Sequence, residues 1–161
     1  MKTVFLGIGT NKGNRERNIS IALKLLSENK EIKILKVSNM LKNSPQEGIK
    51  SGYFLNGAIK IKTTMAPLEL LTFCKKIEKT LGRIISRRTK KKQSRTIDLD
   101  ILFYGHETIK TRSLLIPHPM LHKRYFVLIP LLEIEPNHTH PTLNKTIKEL
   151  YLETPKTSKY A

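Results

Sequence analysis

The 161 residues include 30 Lys and Arg against 13 Asp and Glu, a formal charge of +17, and a single cysteine. That length suits a single domain, residues 1–161, with room for a core, and 39% hydrophobic content excludes a disordered basic tail. Lone Cys74 excludes an internal disulfide framework, and the longest apolar stretch, Phe126 to Leu132, is broken by Pro130 and falls far short of the ~20 residues a bilayer needs. No apolar leader follows Lys2, so the expectation is a cytoplasmic protein without membrane contact whose partner is anionic: nucleic acid, nucleotide or phosphorylated metabolite.

Thr3 to Gly9 reads as a buried strand closed by the polar turn Thr10 to Asn14. Ile19, Ala22, Leu23 and Leu26 then recur at helical spacing on one face. A second strand is predicted over Ile32 to Leu41, a loop over Asn43 to Gly52, and a third strand over Tyr53 to Lys62. Alternation puts Leu55, Gly57, Ile59 and Ile61 of that strand on one face, and Phe54, Asn56, Ala58 and Lys60 on the other. Pro67 opens a second helix with the stripe Leu70, Cys74, Ile77 and Leu81, and Gly82 is its expected stop. Arg83 to Arg95 carries Arg83, Arg87, Arg88, Lys90, Lys91, Lys92 and Arg95 without an acid and reads as a mobile loop. A fourth strand, Ile97 to Tyr104, ends at Gly105. The remainder holds a turn at Ile116 to Pro119, short helices around Pro130 to Ile134 and Thr146 to Tyr151, and a frayed tail from Thr154. Strand, helix, strand, strand, helix, strand is the ferredoxin-like α+β order, a two-layer βαββαβ sandwich with C-terminal additions, one sheet face covered by helices and the other free for ligands.

The chemistry concentrates in Arg95-Thr96-Ile97-Asp98-Leu99-Asp100. On a strand, Asp98 and Asp100 share a face, their Cβ atoms about 6.5–7 Å apart at ~3.3 Å per residue, while Ile97, Leu99 and Ile101 turn into the core. Two carboxylates so spaced suit a hard cation, and Mg²⁺ is usually held by one or two carboxylates, waters and substrate phosphate oxygens. In a chain so poor in acids, two on an apolar strand beside the Arg83–Arg95 run are costly unless cations or a metal compensate them. Mg²⁺ with a polyphosphate explains carboxylates and cations together. Phe54 beside Asn56 suits a flat heterocycle, by stacking and by paired amide hydrogen bonds. Gly7, Gly9 and Gly13 miss the dinucleotide fingerprint and no phosphate loop is present, so these glycines read as structural, serving close packing and a turn. Cys74, on an apolar stripe, reads as core; His138 and His140, without acids at metal spacing, read as structural.

These residues resemble the 6-hydroxymethyl-7,8-dihydropterin pyrophosphokinase family of folate biosynthesis. The likeness runs through Ile8-Gly9-Thr10-Asn11, Phe54-Leu55-Asn56, Arg95-Thr96-Ile97-Asp98-Leu99-Asp100 and Ile116-Pro117-His118. It implies an ATP-dependent transferase that moves pyrophosphate from ATP to a pterin alcohol and releases AMP. It further implies that Asp98 and Asp100 hold two Mg²⁺ ions and, with Arg83 and Arg95, carry catalysis. Phe54 and Phe126 would sandwich the pterin, with Asn56 and Asn43 binding it. Glu78, Arg83, Lys91, Arg95, Ile101, His118 and Arg124 would meet ATP, and Asn43 to Gly52 and Arg83 to Arg95 would be the catalytic loops. Lys92-Gln93-Ser94 replaces a Trp-Gly-Pro common in the family, with Lys91 and Lys92 as stand-ins for a loop arginine, and Lys75 stands where a family glutamine can meet the nucleotide.

The expected function is therefore pterin pyrophosphorylation by a monomer that binds no nucleic acid. The rival is an RNA-recognition module, which shares the element order and would welcome the charge but needs exposed aromatics on its first and third strands.

Overall fold

A computed structural model describes residues 1–43, 52–89 and 96–155, the side chains of 83–89 excepted. Predicted features at 44–51, at Lys90–Arg95 and beyond Pro155 lie outside the described residues.

β1 (Lys2–Thr10), β2 (Ile32–Val37), β4 (Phe54–Thr63) and β5 (Asp98–Tyr104) pair in the order β2-β4-β1-β5, and β3 (Leu41–Asn43) adds to β4. Every pairing is antiparallel. α1 (Arg15–Glu28) and α2 (Pro67–Thr89) connect these strands and complete the ferredoxin-like order. α1 starts where Asn14 accepts from the Arg17 amide at 3.1 Å, and Gly13, at φ 64°, makes the turn that β-carbons resist. The predicted second strand breaks at Ser38: its hydroxyl accepts from Ala58 N at 2.9 Å and its amide donates to Ala58 O, so β2 and β3 are separate ribbons along β4.

Helix α2 continues seven residues past Gly82, whose backbone is outside the left-handed region a glycine stop uses. No proline follows Gly82 before Thr89, and Arg83 to Thr89 is mostly acceptable helix formers, so one glycine at about 1 kcal/mol does not end it. The first half of the predicted basic loop is thus helical backbone.

On one sheet face Val4, Leu6, Ile8, Leu55, Ile59, Ile61, Leu99 and Ile101 bury against Ile19, Ala22 and Leu26 of α1 and Leu70, Cys74, Ile77 and Leu81 of α2. The opposite face is not free along its whole length. After the β6–β7 hairpin (Ile109–Lys110, Leu115–Ile116) and a single helical turn at Leu121–Lys123, α3 (Tyr125–Ile134) and α4 (Ile147–Glu153) pack on it. Phe5, Ala58, Leu102 and Phe103 meet Leu128, Leu131, Ile134, Ile147 and Leu150 there. A register shift assists: Leu6 pairs with Ile101 but Phe5 pairs with Phe103, so Leu102 is an extra residue and both Leu102 and Phe103 reach this second core.

Two lysines of β2 and β4 have places in this junction. Lys60 pairs with Glu135 at 2.5 Å, and Lys36 donates to the Ile134 carbonyl at 3.3 Å, near the C-terminal end of α3. α3 begins earlier than predicted, with Pro130 buried inside it, and α4 carries a Thr146–Glu149 capping box. The tail is tethered at its start, where Thr154 donates to Leu150 O and His122 O.

Candidate active site

The covering helices leave the other end of the second face open, and cross-strand register assembles the predicted residues there. Gly9 pairs with Asn56 on one side and Asp98 on the other; Gly7 pairs with Ala58 and Asp100. Leu41 continues the first row beyond Asn56, and Asn43 pairs with Phe54. Directly opposed residues of antiparallel strands point to one side, so Phe54, Asn56, Asp98 and Asp100 all rise from one surface with two glycines as its floor. Asp98 and Asp100 are exposed, Asn56 and Asn43 half-buried, and Phe54 is 36% exposed.

The floor is the feature that sequence reading missed. A Cβ on Gly9 would lie 2.9 Å from Asn56 Oδ1, so the amide rests against bare backbone. Glycines spaced two apart within an apolar strand were the available signal.

A buried polar network fixes the strand ends that carry the site. Thr10 donates to Thr96 O at 2.6 Å, joining β1 to the segment before β5, while Asn18 donates to Thr10 Oγ1 at 3.3 Å and Lys12 O at 2.8 Å. On the far side, Glu78 of α2 accepts from Leu99 N at 2.9 Å, between the two aspartates in sequence. Burial and the carboxylates of Glu78 and Asp100 push Cys74 up to about 12, leaving it a neutral core thiol.

Beyond β5, His118 N donates to Leu102 O at 3.0 Å, and His118 Nδ1 accepts from Met120 N at 3.2 Å. Burial lowers the His118 pKa, Asp100 opposing and Arg124 assisting. The ring is therefore neutral near pH 7, and with Nδ1 accepting, its proton sits on Nε2 as a donor. Arg124 precedes α3, its Nε buried without a hydrogen-bond partner and its guanidinium 5.8 Å from the half-buried Phe126 ring.

The structure thus brings together Asn43, Phe54, Asn56, Asp98 and Asp100, with His118 in the electrostatic neighbourhood of both Asp100 and Arg124. Ile101 does not belong to this surface. Its side chain is 4% exposed in the helix-side core, leaving only backbone for a nucleotide, because it alternates with Asp100. Lys91 and Arg95 lie outside the described residues, as does the Arg83 side chain. His138 and His140 pack as rings against Phe103, and no group of three or more metal-ligating side chains occurs among the described residues. No helix among them is long and apolar enough to cross a membrane.

An exposed carboxylate pair, a half-open aromatic and a neutral imidazole near an arginine, on a ferredoxin-like sheet, suit a phosphotransfer enzyme. Residues 5–136 match the family 7,8-dihydro-6-hydroxymethylpterin-pyrophosphokinase (HPPK), and the chain belongs to it. It is 44% identical over 149 residues to the 2-amino-4-hydroxy-6-hydroxymethyldihydropteridine pyrophosphokinase of Aquifex aeolicus, covering 92% of this chain and 90% of that protein. The Bacillus subtilis protein of the same name is 39% identical, covering 81% and 76%. Other relatives are longer: the chain spans 22% of the Dictyostelium discoideum folic acid synthesis protein FOL1 at 40% identity. In fold, it is similar to a Plasmodium falciparum HPPK-DHPS crystal structure with TM-score 0.75 and 20% identity, covering 94% of this chain and 43% of that one.

Proposed function

We propose that this chain transfers the terminal pyrophosphoryl group of ATP to the hydroxymethyl oxygen of 6-hydroxymethyl-7,8-dihydropterin, a step of folate biosynthesis. The alcohol oxygen forms a bond to the β-phosphorus and gives up its proton. The bond from the β-phosphorus to the α,β-bridging oxygen breaks, and its electron pair leaves with AMP. The observation that supports this reading is the cross-strand row Asn56–Gly9–Asp98, in which a carboxamide suited to a heterocycle's edge and a carboxylate flank a side-chain-free floor.

The donor set fits Mg²⁺. Asp98 and Asp100 are hard, exposed carboxylates on one face, and they would hold two such ions, which supply Lewis-acid neutralisation of the phosphates when bound. The protein's own part is positioning and electrostatics. Phe54 and Phe126 stack the pterin while Asn56 and Asn43 bind its edge. His118 donates from Nε2 and Arg124 from its guanidinium to the phosphates. Arg83, Lys91 and Arg95 offset charge on the leaving nucleotide, with Glu78 on its border. We further assign residues 1–161 to one catalytic domain, monomeric and cytoplasmic, with no nucleic-acid partner.

The RNA-module alternative lacks its platform, because Phe5 of β1 is 1% exposed beneath α3 and α4. Incubation with ATP, Mg²⁺ and the pterin tests the proposal: AMP and the pterin diphosphate are expected, and ADP or unconsumed ATP would refute it.

A further inference from the structure

The β1–β4 ladder ends at Thr10–Leu55, one residue short of Phe54. Beyond that rung, among the described residues, Phe54 pairs only with Asn43 of the three-residue β3 on its other side. A ring that must hold a flat ligand thus sits on backbone supported from one edge.

Arg15, the first residue of α1, occupies the missing rung. Its Nε donates to Tyr53 O at 2.7 Å, Nη2 to Asn11 O at 3.0 Å and Nη1 to Gly13 O at 3.1 Å. One planar group therefore ties the chain leaving β1 to the residue preceding Phe54. The same guanidinium stacks 4.3 Å from the Tyr53 ring centre, and Lys42 Nζ of β3 lies 4.2 Å from that centre. Tyr53 OH also approaches Glu16 Oε1 at 3.5 Å. α1, β3 and β4 are thus clamped together around Tyr53.

We propose that Arg15 is a positioning residue for the pterin, acting through Tyr53 to fix the Phe54 ring. This rests on the functional reading above. The requirement is for arginine specifically: a guanidinium serves separate carbonyls from one plane while its face covers a ring, whereas an ammonium is a compact point donor. The contacts of Arg15 lie at Asn11, Gly13 and Tyr53, beside Phe54, so it contributes to pterin binding equally in ground and transition states, and its loss should appear in KM and not in kcat.

The test compares wild type with Arg15→Lys, Arg15→Gln, Tyr53→Phe and Tyr53→Leu. Pterin affinity is read from pterin fluorescence at saturating non-hydrolysable ATP analogue, alongside steady-state kinetics and melting temperature. Both Arg15 variants are expected to weaken pterin binding on the order of tenfold, with KM for ATP and kcat within about threefold. Tyr53→Phe, which keeps ring and carbonyl and loses only the long Glu16 contact, should retain more pterin affinity than Tyr53→Leu, which should in turn retain more than the Arg15 variants. Unchanged pterin affinity in folded Arg15→Lys or Arg15→Gln, or equal losses for ATP and pterin, would overturn the proposal. If both Arg15 variants melt below the assay temperature, the Tyr53 pair decides, and equal affinity of Tyr53→Leu and Tyr53→Phe overturns it. Wild type that binds pterin without forming AMP refutes the functional reading alone, because the affinity ratios still stand; wild type that binds no pterin overturns both.

Discussion

Gly9→Ala separates function from stability at a single methyl group. The added Cβ would sit 2.9 Å from Asn56 Oδ1 and 3.8 Å from Leu55 O, so the carboxamide must swing away while the strand backbone stays. Holding the amide off its rotamer costs about 0.5–1.5 kcal/mol, and each ligand hydrogen bond lost from a displaced amide costs a similar ~0.5–1.5 kcal/mol. Together these give roughly 1–3 kcal/mol, or on the order of 10- to 100-fold in pterin KM. Folding should change little, because alanine in a strand gains roughly 0.5–1 kcal/mol over glycine, which offsets the contact. Gly7→Ala is the comparison, because this second floor glycine lies between Ala58 and Asp100 and not against Asn56. Its Cβ would meet Leu102 Cδ2 at 3.4 Å, an ordinary contact, so pterin KM should stay within about threefold. Steady-state kinetics with thermal melts reads both. Unchanged pterin KM in Gly9→Ala, or equal effects of the two substitutions, would refute the bare-floor argument.

Asp98→Ala or Asp100→Ala should lower turnover by a factor on the order of 10² or more with pterin affinity nearly intact, since metal ligation is lost and stacking is not; titration of pterin into each variant alongside kcat checks this. Gly82→Ala should stabilise the protein by about 0.5–1 kcal/mol in denaturant titration, because its Cβ would meet nothing within 4 Å in a helix interior. Acid should loosen the second core. Burial, then His106, lower His138 to about 4, and His122 and His140 are also lowered by burial. The unfolded chain therefore binds protons first, so stability is full above pH ~6.5 and falls as pH drops toward 4. His138 accounts for up to about 3 kcal/mol by linkage, reduced to roughly 1–2 by solvent at its half-buried ring. His138→Phe should flatten that limb of a stability-versus-pH curve; an unchanged slope would count against it.

Composition and pattern alone determined much of this molecule. Period-two alternation in Phe54–Lys60 and Ile97–Ile101 assigned each side chain to a face, and that assignment depends only on local backbone geometry, so Asp98, Asp100, Phe54 and Asn56 were legible as one set. The stripe from Leu70 to Leu81 was legible for the same reason. What tertiary structure decided was everything that depends on which strands become neighbours. Register across β4, β1 and β5 turned Gly7 and Gly9 from packing glycines into the floor between the strand carrying Phe54 and Asn56 and the strand carrying Asp98 and Asp100. The shift at Leu102 gave the second face enough apolar surface to hold α3 and α4, so that only one end of it stayed open. Arg15 reaches the Tyr53 carbonyl, 38 residues away in sequence, only because β4 lies beside β1. Local periodicity assigns a side chain its face, but the partner across that face comes from distant chain segments, and only the folded sheet brings them together.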